Sequence, residues 1–365
     1  MTNRIRLMAT AAALVPLAVL AAACGSSSST TPSTSAPAPS SGDTITETGS
    51  TLLFPLFGAW QSSYNSANPS VHIYSAGTGS GVGIADAATG TATIGGSDAY
   101  LSPGDLVKYP SLINIPLTVA AVMVNYNLPQ VSAPLKLDAS VLAQIYSGKI
   151  TNWNDPAIAA LNKGVSLPNL AITTLHRADS SGSSFLFTSY LNAQDPSGWP
   201  IADVGTTVSW PSTPKTEAET GSGAMVTGCA GLKGCIAYIG ISYESKTAAA
   251  KLGIASLLNK GGGYAQPTTA AISAALASFS SSTPASGAQS LINTSVAGGY
   301  PIINYEYAVV QKKQPSAAGA STLKAFLTWA ITSGNASSFL TAVNFQPLPS
   351  NVVSISKTLI ASISG

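Results

Sequence analysis

The stretch LAITTLHRADSSGSSFLFTSYL, residues 170–191, contains the fold in one unit. Its apolar, β-branched start from Leu170 to Leu175 predicts a strand. The run His176-Arg177-Ala178-Asp179-Ser180-Ser181-Gly182-Ser183 then breaks the pattern with small residues, and a helix is predicted from there to about Leu191. The same order of strand, Ser/Gly turn and helix recurs upstream. Thr44–Thr48 reads as a strand, Gly49-Ser50-Thr51 as the turn, and Leu53, Phe57, Trp60 and Tyr64 as one face of an amphipathic helix. Val71–Ser75 reads as a strand ending in Gly77-Thr78-Gly79-Ser80-Gly81-Val82-Gly83, with a small-residue helix to about Ala88. Thr91–Ile94 is predicted as a strand running into Gly95-Gly96-Ser97-Asp98, and Ile115–Tyr126 as a long buried strand. Asp138 is a plausible N-cap for a helix through Val141, Leu142 and Ile145. Ile302–Val310 reads as a strand, and Leu323, Phe326, Leu327 and Ala330 mark a late helix. Strands alternating with helices predict α/β architecture. The Gly/Ser/Ala-rich segment 259–299 shows no clear period.

Charge narrows the function classes. The 365 residues carry 16 Lys+Arg and 14 Asp+Glu, 8% of the chain, where soluble domains average roughly 25%. Arg4 and Arg6 account for the excess of two, so the body is neutral. A nucleic-acid partner, which requires a basic patch, is not expected. Charge-driven disorder is excluded because 45% of residues are hydrophobic. The length fits two domains.

Residues 1–23 read as a secretory signal, with Arg4 and Arg6 before an apolar stretch from Leu7 to Ala23. Ala21-Ala22-Ala23-Cys24 resembles a bacterial lipobox, although Leu20 stands one place earlier than the usual leucine. Cys24 is therefore expected to carry acyl chains, palmitate among them; an ordinary signal with an incidental cysteine is the alternative. Residues 25–42, GSSSSTTPSTSAPAPSSG, have no charge and no large apolar side chain. Such a segment is expected to be a disordered tether reaching roughly 25 Å or more from a membrane surface. Cys229 and Cys235 are expected to form a disulfide in an exported protein, with free thiols as the alternative. No metal site is expected, since His72 and His176 show no ligand spacing with them.

The three Ser/Gly junctions share one chemistry. Each offers backbone N–H groups at a helix start, where a partial positive charge resides, and hydroxyl donors beside them. Such sites suit anions. Arg177, the only arginine after residue 6, lies in the third junction. Its planar fork grips oxyanions bidentately; a structural pair with Asp179 is the plainer reading, and both can hold. Asp98 reads first as a helix cap or solvated turn. Beside an anion site, however, a buried carboxylate repels sulfate and accepts the P–O–H hydrogen of phosphate.

Taken together, TETGSTLLFPLFGAW, SAGTGSGVGIADAATGTATIGGSDAYLS, IYSGKITNWNDPAIAALN, HRADSSGSSFLFTSYL, MVTGCAGLKGCIAYIGIS and GYPIINYEYAVV resemble the PstS phosphate-binding proteins of ABC importers, and most closely the mycobacterial lipoproteins. The resemblance implies a two-domain periplasmic-binding-protein fold of type II with two hinge crossings, near Ala120–Tyr126 and Tyr300–Tyr305. Domain I is then 44–122 plus 303–365 and domain II 123–302, following a signal at 1–23 and a tether at 24–43. It implies phosphate ligands Ser50, Thr51, Leu52, Ser80, Asp98, Arg177, Ser181, Gly182 and Ser183, with Asp179 supporting Arg177. The family's third loop commonly reads Arg-Ser-Asp-Gly-Ser-Gly-Thr; here Ala178, Ser180 and Ser183 depart from it. Ser180 matters if that position needs a positive φ.

The function implied is phosphate capture on the extracytoplasmic face of the cell membrane and delivery to the permease and ATPase subunits of an importer, without a cofactor. Two other classes remain as alternatives. A hydrolase is disfavoured: Ser212-Thr213-Pro214-Lys215 and Ser354-Ile355-Ser356-Lys357 match S-x-x-K, but the companion motifs are missing. The chain is expected not to be an enzyme. A surface adhesin or antigen without a small ligand is the third.

Overall fold

The computed structural model describes residues 44–365. The predicted signal, Cys24 and the tether lie outside the described residues. Twelve strands are present in the described chain: β1 Thr44–Gly49, β2 His72–Gly77, β3 Ile94–Ser97, β4 Leu112–Tyr126, β5 Lys136–Leu137, β6 Thr173–Arg177, β7 Thr216–Glu219, β8 Cys235–Gly240, β9 Gly253–Ile254, β10 Ser256–Leu258, β11 Tyr264–Ala265 and β12 Ile303–Gln311. The main sheet runs β2-β1-β3-β12-β4-β8-β6-β7, with β9 added on β4; β11-β10-β5 form a small second sheet.

Strand β4 organises the molecule. Leu112–Ala121 pair antiparallel with β12, and Val122–Tyr126 pair antiparallel with β8. Its pairing changes over one peptide, between Ala121 and Val122. On one side of that change lie the parallel strands β1, β2 and β3, and on the other the parallel strands β6, β7 and β8. Residues of β4 are buried almost throughout, with the helices Ser350–Ala361 and Gly182–Gln194 packed on it; a strand buried on both faces reads as an apolar run rather than an alternation.

The amphipathic face of the first helix behaves as its spacing predicts. The helix Phe54–Ala67 buries Leu56, Phe57, Trp60 and Tyr64. The Trp60 and Tyr64 rings pack edge-to-face on Phe326 and Trp329 of the helix Ala317–Ala330, and the Trp60 indole N–H donates to Gly334 O at 2.8 Å. A buried indole thus finds the acceptor that it requires. Asp138 caps its helix through Val141 N–H at 2.8 Å.

Two expectations shift and one element is added. The strand predicted at Thr91–Ile94 is Ile94–Ser97, because pairing with β1 and β12 recruits Gly95, Gly96 and Ser97. The strand predicted from Leu170 begins at Thr173 and continues through Arg177. The C-terminal helix Ser350–Ala361 had no sequence reading as a helix. It contains the second S-x-x-K pattern, in which Ser354 Oγ donates to Ser350 O at 3.1 Å and Ser356 Oγ to Pro116 O at 2.8 Å. Cys229 and Cys235 form a disulfide with Cα atoms 5.3 Å apart, tying the end of the helix Gly221–Gly231 to the start of β8. Among the described residues no helix is long and apolar enough to cross a membrane.

Candidate functional site

In open α/β sheets, ligand sites form beyond the carboxyl ends of the strands. Here the carboxyl ends of β1, β2 and β3 lead into Ser50, the helix Ser80–Thr89 and Asp98, while β6 leads into the loop before the helix Gly182–Gln194. These four points converge. Asp98 is 2% exposed, and its carboxylate accepts the Ser50 hydroxyl on Oδ1 and the Ser183 hydroxyl on Oδ2, the latter at 2.8 Å. Its backbone N–H donates to Ser80 Oγ at 3.3 Å. The carboxylate therefore gathers hydroxyls from the end of β1 and from the third loop, and the Asp98 backbone reaches the start of a helix between them. The solvated-turn reading of Asp98 is excluded by its burial.

The two sides of the sheet also meet through backbone. Gly81 N–H donates to Ser180 O at 3.1 Å. A Cβ on Gly182 would lie 2.6 Å from Asp98 Cβ and 2.6 Å from Ser80 Oγ. Only glycine permits that approach. Ser180 is not among the residues with positive φ; its hydroxyl donates to Thr206 Oγ1 at 3.0 Å, so the departure from the family's glycine is accommodated.

Arg177 lies beside this cluster, 5% exposed. Its Nε donates to Asp179 Oδ1 at 2.6 Å and Nη2 to Asp179 Oδ2, a bidentate ion pair. Burial works to raise the Asp179 carboxyl, but Arg177 and the Gly221 N–H outweigh it and hold the group below the usual carboxylate range. Both readings of Arg177 are thus compatible, since the pair uses Nε and one Nη.

Some predicted ligands have local tasks. Ser181 Oγ caps the helix Gly182–Gln194 by accepting Ser184 N–H at 3.4 Å, and its own N–H donates to Thr206 O at 2.8 Å. The Leu52 and Leu53 N–H groups donate to Ser50 Oγ at 3.1 and 3.0 Å. The Thr51 hydroxyl meets Ser222 Oγ at 2.8 Å across the sheet. The amides of Ser80, Gly182 and Ser183 stand in first turns, where helices leave N–H groups unpaired.

Three residues near the cluster had no sequence reading. Ser222 starts a fourth strand-to-helix junction, Thr220-Gly221-Ser222, whose composition matches the other three. Tyr238 Oη bridges Arg177 N–H at 2.9 Å and Ser184 Oγ at 2.7 Å; nothing in its apolar strand signals that. Glu306 on β12 is fully buried beside Asp98, and its only sequence signal is an acid inside an apolar run. Of the two carboxyls, Glu306 titrates higher. Burial raises both, and Ser50, Ser183, Arg177 and Glu306 pull Asp98 back down, whereas Asp98 pushes Glu306 further up.

A sheet with anion-suited helix starts at the carboxyl ends of two strand sets defines a solute-binding protein of periplasmic type. In agreement, residues 33–333 match the family model described as a PBP superfamily domain. The phosphate-binding protein PstS of Pasteurella multocida (strain Pm70) is 30% identical over 311 residues, 85% of this chain and 88% of that one. PstS 3 of Mycobacterium leprae (strain TN) is 27% identical over 340 residues, covering 88% and 89%. The chain belongs to the PstS family of phosphate-binding proteins. Its fold is that of a high-affinity periplasmic phosphate-binding protein (PfluDING) solved with phosphate at pH 8.5, with TM-score 0.67, 23% identity, and coverage of 87% of this chain and 93% of that one.

Proposed function

We propose that this chain captures inorganic phosphate outside the membrane and delivers it to the permease and ATPase subunits of an ABC importer, held to the membrane by lipid on Cys24. The observation that carries the reading is the buried Asp98 carboxylate, which accepts one hydroxyl from each side of the sheet, Ser50 and Ser183. A carboxylate in an anion site admits only an oxyanion that brings a hydrogen. Phosphate does so as H₂PO₄⁻ or HPO₄²⁻; sulfate does not.

In this reading the phosphate oxygens take the loop amide of Thr51, the first-turn amides of Gly182 and Ser183, the hydroxyls of Ser80 and Ser181, and the outer edge of the Arg177 guanidinium, while the Ser50 and Ser183 hydroxyls hold Asp98 and Ser50 Oγ occupies the Leu52 N–H. Asp179 holds that guanidinium in place. The P–O–H hydrogen goes to Asp98. Residues 44–122 with 303–365 form one lobe and 123–302 the other, and the partner change of β4 at Ala121–Val122 supports a hinge there. Closure excludes water, and the lowered dielectric strengthens each donor contact, so neutral dipoles and one cation suffice.

The test is calorimetry with phosphate and sulfate on the native protein and Asp98→Asn. The native chain is expected to bind phosphate and ignore sulfate. The variant loses phosphate affinity and admits sulfate, so that the preference falls by at least tenfold. Native protein that takes up no phosphate, or a variant with the native preference, refutes the assignment.

A further inference from the structure

Glu306 stands in a conspicuous place for an acid. It lies on β12 opposite Thr118 of β4, at the register break between Glu306 and Tyr307. It is 0% exposed, and neither carboxyl oxygen has a hydrogen-bond donor. Tyr307 pairs with Ser97 in the antiparallel ladder of β12 and β3, so Glu306 and Asp98, the adjoining residues, lie side by side, and each acts on the other's titration. Two residues earlier on the same strand, the Asn304 amide donates to Asp98 O at 2.8 Å. Strand β12 thus holds Asp98 by its backbone and faces its side chain.

An ionised carboxyl cannot stay buried beside another anion without a donor; it keeps its proton instead. A protonated carboxyl is an O–H donor, and Asp98 is the acceptor within reach. An ionised Asp98 has about four acceptor positions on its two oxygens. Ser50 and Ser183 fill two. A neutral Glu306 fills a third and leaves one.

Resting on the phosphate reading above, we propose that Glu306 is a positioning and specificity residue: held neutral, it donates to Asp98, keeps that carboxylate in its acceptor form, and leaves it room for a single ligand hydrogen. When Glu306 loses its proton, two adjacent anions face the ligand and oxyanion binding fails. The titratable groups around Glu306 are few. Asp98 faces it from the turn after β3, Tyr307 follows it on its own strand, and Arg177 acts on Asp98 from the far side. Thr118 of β4 does not titrate. The helices Ser80–Thr89 and Thr269–Phe279, which pack on β12, bury only Ser80, Gly83, Ile84, Ala87, Ala271, Ile272, Ala275 and Leu276.

The experiment compares the native protein with Glu306→Gln and Glu306→Leu. Phosphate and sulfate are titrated by calorimetry at pH 6, 7.5 and 9, with melting curves as the control for folding. Gln keeps a donor and cannot ionise; it is expected to bind phosphate within threefold of native at pH 6 and 7.5, and to lose less affinity than native at pH 9. Leu removes the donor and is expected to weaken phosphate at least tenfold and narrow the preference over sulfate. A Leu variant with native affinity and preference overturns the proposal, as does a Gln variant no better than Leu or with the native loss at pH 9. Should Leu fail to fold, the pH profile of Gln decides alone. Native protein that ignores phosphate sinks the preceding reading instead, so the two failures are distinct.

Discussion

Replacing Gly182 with alanine tests whether the two sides of the sheet close on one site. The added methyl would sit 2.6 Å from Asp98 Cβ, 2.8 Å from Asp98 Cγ and 2.6 Å from Ser80 Oγ. The serine hydroxyl can rotate away. Asp98 Cβ cannot, because it is fixed to a turn whose backbone is held by Asn304 and Ser80. The third loop must therefore withdraw from Asp98. Overpacking of this kind costs about 1–3 kcal/mol, which corresponds to roughly 5- to 150-fold in an equilibrium constant. Where that cost falls is the informative part. Gly182 follows β6 and Asp98 follows β3, on opposite sides of the β4 partner change. If the sides part in the free protein, the clash exists only in the closed, liganded form. Calorimetry should then show phosphate affinity reduced about 5- to 150-fold, while the ligand-free melting temperature moves by less than about 2 °C. Native affinity together with a native melting point refutes the close approach. A ligand-free melting point lowered by several degrees with unchanged affinity refutes the hinge.

Further outcomes follow from the same geometry. Glu47 on β1 is buried, with its pKa pushed up from 4.5 to about 8 by burial despite the Ser75 hydroxyl. The folded protein holds that proton across pH 4.5–8 and the unfolded chain does not. Stability therefore declines as pH rises through this window, by on the order of 5 kcal/mol at most. Glu47→Gln is expected to melt like native at pH 5 and above native at pH 8; parallel melting profiles at both pH values would contradict this. Arg177→Lys keeps the charge but loses the two-point grip on Asp179, so phosphate affinity is expected to fall about tenfold or more, and unchanged binding by calorimetry would assign Arg177 to structure alone. Cys24→Ala is expected to abolish incorporation of a labelled fatty acid and to shift the protein from the membrane to the soluble fraction; persistent labelling would remove the anchor from the proposal.

Much of the fold was legible because its signals are local. The spacing of Phe57, Trp60 and Tyr64 marks a helix face on its own, Asp138 caps the residues just after it, and β4 is visible as a long, mostly apolar and β-branched run. The displaced elements are those settled by partners far along the chain. Gly95, Gly96 and Ser97 have poor strand propensity, yet they are strand because β1 and β12 flank them. The Ser350–Ala361 helix carries hydroxyl residues that favour turns locally, and its Ser356 is satisfied only by Pro116, 240 residues away.

The candidate site divides in the same way. Ser/Gly turns at helix starts and a solitary arginine are properties of short stretches, and the sequence alone determined that this chain has an anion-suited α/β framework with a neutral body. It could not say that Asp98 is buried, that Ser50 and Ser183 converge on it from residues 133 positions apart, or that Glu306 stands behind it. Those facts came from β12 laying its acid against the turn after β3 and from loops meeting across β4. Tertiary structure decided them because burial and mutual distance, which set whether a carboxyl is charged and what it accepts, belong to the packed chain and to no segment of it.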